Sequence, residues 1–421
     1  MVDPDGQAKA HSRSFGLWVL LAVLAVAAVP FATVFFSQLS ELGYQGAWAA
    51  AFGFYAIPTM LPMFADLRTI THGAECWVHG IDVYVIDPCD PWGRPTNYPP
   101  IWLEISKAIG VDSRWTVPIG GFFAASFGVA AIAFFGRRRM AWHGLVYGLA
   151  LISPPVMLGI ERGNPDIFIF TLIVIGLFLA FRGYLAAVVA TGVFAFATAL
   201  KLFPIYSAAI LLIRSGRAAM IAVAVVLFGA AYFTLNAEYL ASISANTSRG
   251  TLLSFGAEVI FNGLAASFDW PALRGAATPT LFGVSAVAIG LGIYIGRRNP
   301  AFLPLPRTRW GGGFAIGAAI YLFSFMVASN WDYRLSFVLL CIPQWLDWAS
   351  ARDLSVSERL IARTLLTTFV VSAYLTNRLP FAVLYIDEVF NWVLFFLLAV
   401  IVTVLAGRVI GDIRNYLAAP G

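Results

Sequence analysis

Residues 64–102 read FADLRTITHGAECWVHGIDVYVIDPCDPWGRPTNYPPIW. The stretch gathers Asp66, Arg68, His72, Glu75, His79, Asp82, Asp87, Asp90 and Arg94 in a chain that is otherwise apolar. Of its 421 residues, 60% are hydrophobic and 12% are charged. The mean hydropathy is +0.81. Soluble domains carry about 25% charged residues, so this chain is solvated by lipid. Backbone groups in lipid must bond within their own segment, which makes the spans helices. A closed barrel would alternate in strands of about ten residues, whereas these apolar runs are unbroken. The expected fold class is an all-α polytopic membrane protein, a single domain over 1–421. A polar island in such a chain marks where water and chemistry meet.

Outside that island, apolar runs fall at 15–37, 116–136, 141–160, 166–181, 185–200, 204–213, 218–236, 276–295, 311–329, 335–350, 360–376 and 388–407. The first is too long for a signal-peptide core and reads as a retained span. The runs 185–200 and 204–213, broken by Pro204, predict a distorted hairpin. The segment 46–63 reads as interfacial or partly buried.

The positive charges order these runs. Lys9 and Arg13, Arg137 to Arg139, Arg182, Arg214 with Arg217, Arg297 to Arg309, Arg352 with Arg359, and Arg408 with Arg414 all fall on one side of a twelve-span chain. The positive-inside rule makes that side cytoplasmic, with both termini there. It also accounts for the net charge of +5 without a nucleic-acid partner. The large first loop, 38–115, with short helices, then lies outside. So do 161–166, Lys201, 237–275, 330–334 and 377–388.

Several outer positions carry chemistry. Asp66 opens a helix beside the membrane surface, where a carboxylate serves either as a general base or as a charge favoured by the helix dipole. Cys76 and Cys89 are either free thiols or, in an oxidising compartment, a disulfide adding roughly 2–3 kcal/mol. His72, Glu75 and His79 fit no strong zinc spacing, so no metal site is expected. Glu161 and Arg162 either face a cavity or pair to close the turn at Gly163 and Pro165. Lys201 has no carboxylate near it in sequence and reads as snorkelling or anion-binding. Asn330 to Arg334 offers two aromatic faces and a cation, suited to a sugar and a phosphate, or an interfacial aromatic belt. No Walker loop, Gly-x-Ser-x-Gly or His-Glu-x-x-His motif occurs, which leaves nucleotide binding and common hydrolase chemistry unsupported.

Four patterns in order resemble the GT-C membrane glycosyltransferases, most closely the polyprenyl-phosphate-sugar-dependent, mannosyltransferase-like glycosyltransferase family 87. They are Phe64-Ala65-Asp66-Leu67-Arg68, with Gly80 to Tyr84 and Asn97-Tyr98-Pro99-Pro100 after it; Arg162-Gly163-Asn164; Lys201-Leu202-Phe203-Pro204; and Tyr333-Arg334. Asn164 stands where the family commonly has Gln, and the first outer loop is longer than usual. The resemblance implies a GT-C-like fold in a bacterial inner membrane, with the site on the periplasmic face. It implies Asp66 as general base in an inverting transfer from a polyprenyl-phosphate-linked sugar to a lipid-linked glycan or polysaccharide. It implies Arg68, Tyr98, Arg162, Asn164, Lys201, Tyr333 and Arg334 as substrate contacts, and no cofactor. Two other readings stay open, a lipid-linked oligosaccharide flippase and a polysaccharide polymerase or ligase. No internal symmetry of the kind alternating-access transporters show is visible. A polymerase or ligase would place its large outer loop late in the chain.

Overall fold

The computed structural model describes residues 43–136, 140–327, 330–375 and 385–418. Among these residues the regular structure is helical, apart from one pair of two-residue strands. Five helices are long and apolar enough to cross a membrane: Ser113–Phe135, Trp142–Arg162, Gly216–Leu235, Pro271–Arg298 and Ile386–Ala418. Three apolar helices are shorter. Only 17% of the apolar window in Pro271–Arg298 is buried, and its Phe282 is 70% exposed. So much bare apolar surface needs lipid around it. The chain is therefore a helical membrane protein. The expected run 15–37 and the arginines at 137–139 lie outside the described residues, as does most of the loop 377–388.

The chain forms two compact units. The first comprises 1–176, 192–205 and 225–248. It holds α1 (Gly43–Gly53), α2 (Ala65–Val78), α3 (Ile101–Ile109), α4 (Thr116–Phe135), α5 (Ala141–Leu151) and α6 (Pro154–Arg162). It also takes in most of α7 (Pro165–Ala180), the end of α8 (Tyr184–Leu200), part of α9 (Gly216–Leu235), and α10 (Ala237–Asn246). Helix α1 packs on α6 and buries Trp48 and Phe52 completely, consistent with a partly buried 46–63 segment. Helix α2 packs on α3, α4 and α6.

One side of α2 forms a small core of Ala74, Cys76, Val83, Tyr84, Leu103 and Ile243, flanked by Trp77 and Tyr239. These side chains come from α2, α3, the loop between them, and α10. Asn246 fastens α10 to the loop, donating to the carbonyls of Tyr84 at 2.9 Å and Thr96 at 3.1 Å.

The second unit comprises 177–191, 206–224 and 249–421. It holds α11 (Val259–Ser267), α12 (Ala277–Arg298), α13 (Arg309–Met326), α14 (Ile342–Ser350), α15 (Val356–Leu375) and α16 (Ile386–Ala418). Helix α16 packs on α12, α13 and α15. Strands β1 (Ser254–Phe255) and β2 (Asn330–Trp331) pair antiparallel, Ser254 opposite Trp331. A buried polar network ties three helices: Tyr321 donates to the Asn391 carbonyl at 2.8 Å, Ser372 to Asn391 Oδ1 at 3.0 Å, and Asn391 to Glu388 Oε1 at 2.8 Å. Such bonds hold helices together where apolar packing has no water to exclude.

Two expected runs are interrupted, both at proline. The run 141–160 divides into α5 and α6, the latter opening on Pro154 and Pro155. The run 335–350 divides into a 3₁₀ segment, Asp332–Leu340, and α14 with Pro343 in its first turn. Proline is pre-set for a helix's first turn but cannot donate inside one. The run 204–213 takes 3₁₀ form as Phe203–Ile213.

Candidate active site

Helix α2 starts abruptly. Phe64, just before it, adopts a left-handed conformation with φ 63°. Its ring wedges against Gly120 of α4, and its Cβ lies against Gly163. Gly163 ends α6, also left-handed, at φ 59°. A Cβ on Gly163 would stand 2.8 Å from Phe64 Cβ. Glycine is thus required here twice, for its backbone and for the space it leaves. The wedge brings the start of α2 against the Arg162-Gly163-Asn164 turn.

The turn is fixed from its other side. Glu161 is fully buried, accepts from the Met60 backbone N–H at 2.9 Å, and pairs with Arg162 at 3.0 Å. Arg162 also donates to the Pro58 carbonyl at 3.3 Å. The Glu161–Arg162 pair therefore anchors the segment that leads into α2.

Across this junction the separated motifs meet. The fully buried Asn164 donates from Nδ2 to Asp66 Oδ2 at 2.6 Å, with Tyr98 Oη at 3.4 Å. Its Oδ1 accepts from Lys201 Nζ at 3.1 Å and from the Asp166 backbone N–H at 3.0 Å. Two donors on Oδ1 fix which way the amide faces, so Nδ2 must point at the carboxylate. Lys201, just past the end of α8, pairs with Asp166 at 2.5 Å and lies 5.2 Å above the Tyr98 ring. The end of α8 is held in place by Trp102 of α3, which donates to the Leu200 carbonyl at 2.8 Å.

Sequence reasoning found no carboxylate beside Lys201. The structure corrects that: Asp166 opens α7, and the fold brings the end of α8 to it. Lys201 is charge-compensated rather than a bare cation.

The loop between α2 and α3 is fastened along α2. Cys76 and Cys89 are joined by a disulfide, their Cα atoms 6.0 Å apart. Arg94 pairs with Asp90 at 2.8 Å, donates to the Ala65 carbonyl at 2.6 Å, and lies over Trp92 at 4.5 Å. Burial works against charge on Asp90, but the Arg94 hydrogen bonds outweigh it and hold its carboxyl below the usual value. Asp87 is fully buried; burial raises its carboxyl to about 6, although Oδ1 accepts from the N–H groups of Cys89 and Asp90. Among the described residues Asp87 Oδ2 has no hydrogen-bond partner.

His72 lies between Arg68, which meets its Nε2 at 2.9 Å, and the Cys89 carbonyl, 3.0 Å from Nδ1. Arg68 can only donate, so the ring carries its proton on Nδ1. Burial and Arg68 both lower the His72 pKa. His79 caps the far end of α2, exposed. Among the described residues one cluster has metal-ligand composition, Cys76, Asp87 and Cys89, and its two sulfurs are consumed in the disulfide.

The structure thus brings together Asp66, Tyr98, Asn164 and Lys201, with Arg68 farther along α2. Arg68 also donates to the Met63 carbonyl at 2.8 Å. Tyr333 and Arg334 belong to the second unit, where Arg334 donates to Asn330 Oδ1. The sequence reading missed the Phe64 wedge and the Arg94 clamp. Chemically, the site offers a half-exposed carboxylate with one oxygen held by an amide. Among the described residues the other oxygen, Oδ1, makes no hydrogen bond.

No known family profile matches the chain, and no curated protein matches it. Among solved structures it is similar to ArnT from Cupriavidus metallidurans in the apo state, at 14% identity and a TM-score of 0.39, over 94% of this chain and 78% of that one.

Proposed function

We propose that the chain is an inverting glycosyltransferase that moves a sugar from a polyprenyl-phosphate donor to a lipid-linked or polysaccharide acceptor on the outer face of the membrane. One observation carries this reading. Asp66, Tyr98, Asn164 and Lys201, distant in sequence and each part of a motif, converge on one hydrogen-bonded cluster.

In this reading the acceptor hydroxyl gives its proton to Asp66 Oδ1 as its oxygen attacks the anomeric carbon. The bond from that carbon to the phosphate oxygen breaks with inversion, and its electron pair leaves with the polyprenyl phosphate. Asn164 aims the carboxylate. Lys201, held by Asp166, presents its ammonium charge to the leaving phosphate without adding an uncompensated charge. Arg68 adds a cation on the same helix. Arg162 is turned to Glu161 and Pro58, so its part is to set the Asn164 turn. Tyr333 and Arg334 keep the substrate-binding role that the resemblance implies. The twelve-span arrangement with cytoplasmic termini completes the proposal.

The test is transfer by the purified full chain in lipid from a panel of polyprenyl-phosphate hexoses and pentoses. Transfer by wild type and its loss in D66N are expected. No transfer from any donor overturns the function, and undiminished transfer by D66N overturns the base.

A further inference from the structure

The second unit contains a cationic cavity of about 430 Å³ that the proposed chemistry does not use. Its walls come from the end of α7 and the start of α13. Arg182 and Arg307 line it and are exposed; Arg309 lines it half-buried. Phe178, Phe181 and Trp310 supply aromatic surface. The Arg309 guanidinium lies against two of these rings, 4.8 Å from the centre of Phe178 and 5.0 Å from that of Trp310.

Three features define what would fit. Three guanidinium groups line one space, and among the described residues no carboxylate lines it. Asp412, on which the Arg307 charge acts, is paired with Arg214 at 2.5 Å. The 18-residue helix α13 begins at Arg309, capped by Thr308, so the positive end of its dipole adds to the same field. Guanidinium groups match phosphate oxygens in a fork. The aromatic wall beside them suits an apolar chain rather than a free ion. A volume of this order suits a small-molecule headgroup.

The cavity also sits where two apolar helices end, which is where headgroups lie. Its arginines belong to the clusters that the positive-inside pattern gives to the cytoplasmic leaflet, the leaflet rich in anionic lipid.

We infer that this cavity binds the phosphate headgroup of an anionic membrane phospholipid, with its glycerol and upper acyl carbons against Phe178, Phe181 and Trp310. The inference does not depend on the activity proposed above.

Native mass spectrometry of the full chain, released from detergent with phosphatidylglycerol or phosphatidylcholine, tests it. A second arm replaces lipid with inorganic phosphate. Wild type should retain phosphatidylglycerol about tenfold or more over phosphatidylcholine, because each arginine near the surface favours an anionic lipid. R182Q/R307Q, which changes two exposed side chains, should bring retention down to the phosphatidylcholine level. R309Q should do the same, and if it fails to fold the double variant still decides. Equal retention of the two lipids, or undiminished phosphatidylglycerol in R182Q/R307Q, overturns the site. Saturable inorganic phosphate binding without lipid preference overturns the lipid as its occupant.

Discussion

Asn164 donates its side-chain N–H to Asp66 across 2.6 Å, and this bond joins the start of α2 to the Arg-Gly-Asn turn. The amide is suited to its place. One end meets a carboxylate and the other meets a lysine and a backbone N–H. Replacing it by aspartate would keep the shape and reverse one end. N164D would set a third carboxylate between Asp66 and Asp166 and remove the donor that aims the base. We expect its transfer rate to fall as far as that of D66N, about 10²–10⁴-fold, the range for loss of a general base. Single-turnover rates with saturating donor check this. An N164D rate near wild type would show that Asp66 needs no aiming.

Lys201 and Asp166 make a second, separable prediction. The Asp166 side chain is fully buried and that of Lys201 is 15% exposed. K201M leaves a buried carboxylate without its cation, which costs about 3–5 kcal/mol. K201M/D166N removes both charges and should recover most of that stability. It should not recover transfer, since the ammonium facing the leaving phosphate stays absent. Thermal unfolding in detergent reads the first half and transfer kinetics the second. Equal melting of the single and double variants would mean that the pair does not hold the junction.

The sequence pointed to candidate site residues more readily than to how they are held. Asp66 and Lys201 stood out because polar groups in an apolar chain are conspicuous, and Tyr98 and Asn164 through the patterns that carry the family resemblance. Asp166 escaped as the partner of Lys201 because helix ends meet in space without any fixed spacing in sequence. The Glu388–Asn391 network escaped for the opposite reason: it sits at the start of a run read as apolar, its groups pairing across helices rather than along one. The breaks at Pro154 and Pro343 were readable, but hydropathy averaged over a span hides them. The Cys76–Cys89 link needed no spacing rule, only α2 and its loop lying side by side.

Asp87 gives a pH prediction. Burial raises its carboxyl from 3.8 to about 6, while Asp90 also raises it and Arg94 and two backbone N–H groups oppose. A raised carboxyl means the folded chain holds the proton more tightly than the unfolded one. Stability therefore falls as pH rises from about 4 through 6, and levels off above, by at most about 3 kcal/mol. D87N keeps an oxygen for the Cys89 and Asp90 N–H groups and carries no charge. It should melt higher than wild type at pH 8 and close to it at pH 4. Unfolding midpoints of both proteins across that range check the sign. A gap that widens on acidification would refute it.

Gly163 tests how the site is built rather than what it does. Its φ of 59° is left-handed, which costs an alanine about 1–2 kcal/mol. The added Cβ would also stand 2.8 Å from Phe64 Cβ, an atom fixed to backbone that cannot swing away. Either α6 or the start of α2 must move, and Asn164 and Asp66 ride on those two pieces. G163A should therefore lose transfer beyond what its lower melting point explains, measured well below that point. G192A is the control: Gly192 lies in α8, and a Cβ there meets nothing within 4 Å. That substitution should leave transfer unchanged and raise the melting point slightly, as alanine stabilises a helix interior by about 0.5–1 kcal/mol over glycine. If G163A transfers sugar as well as G192A does, the Phe64 wedge is not what sets the distance from Asn164 to Asp66.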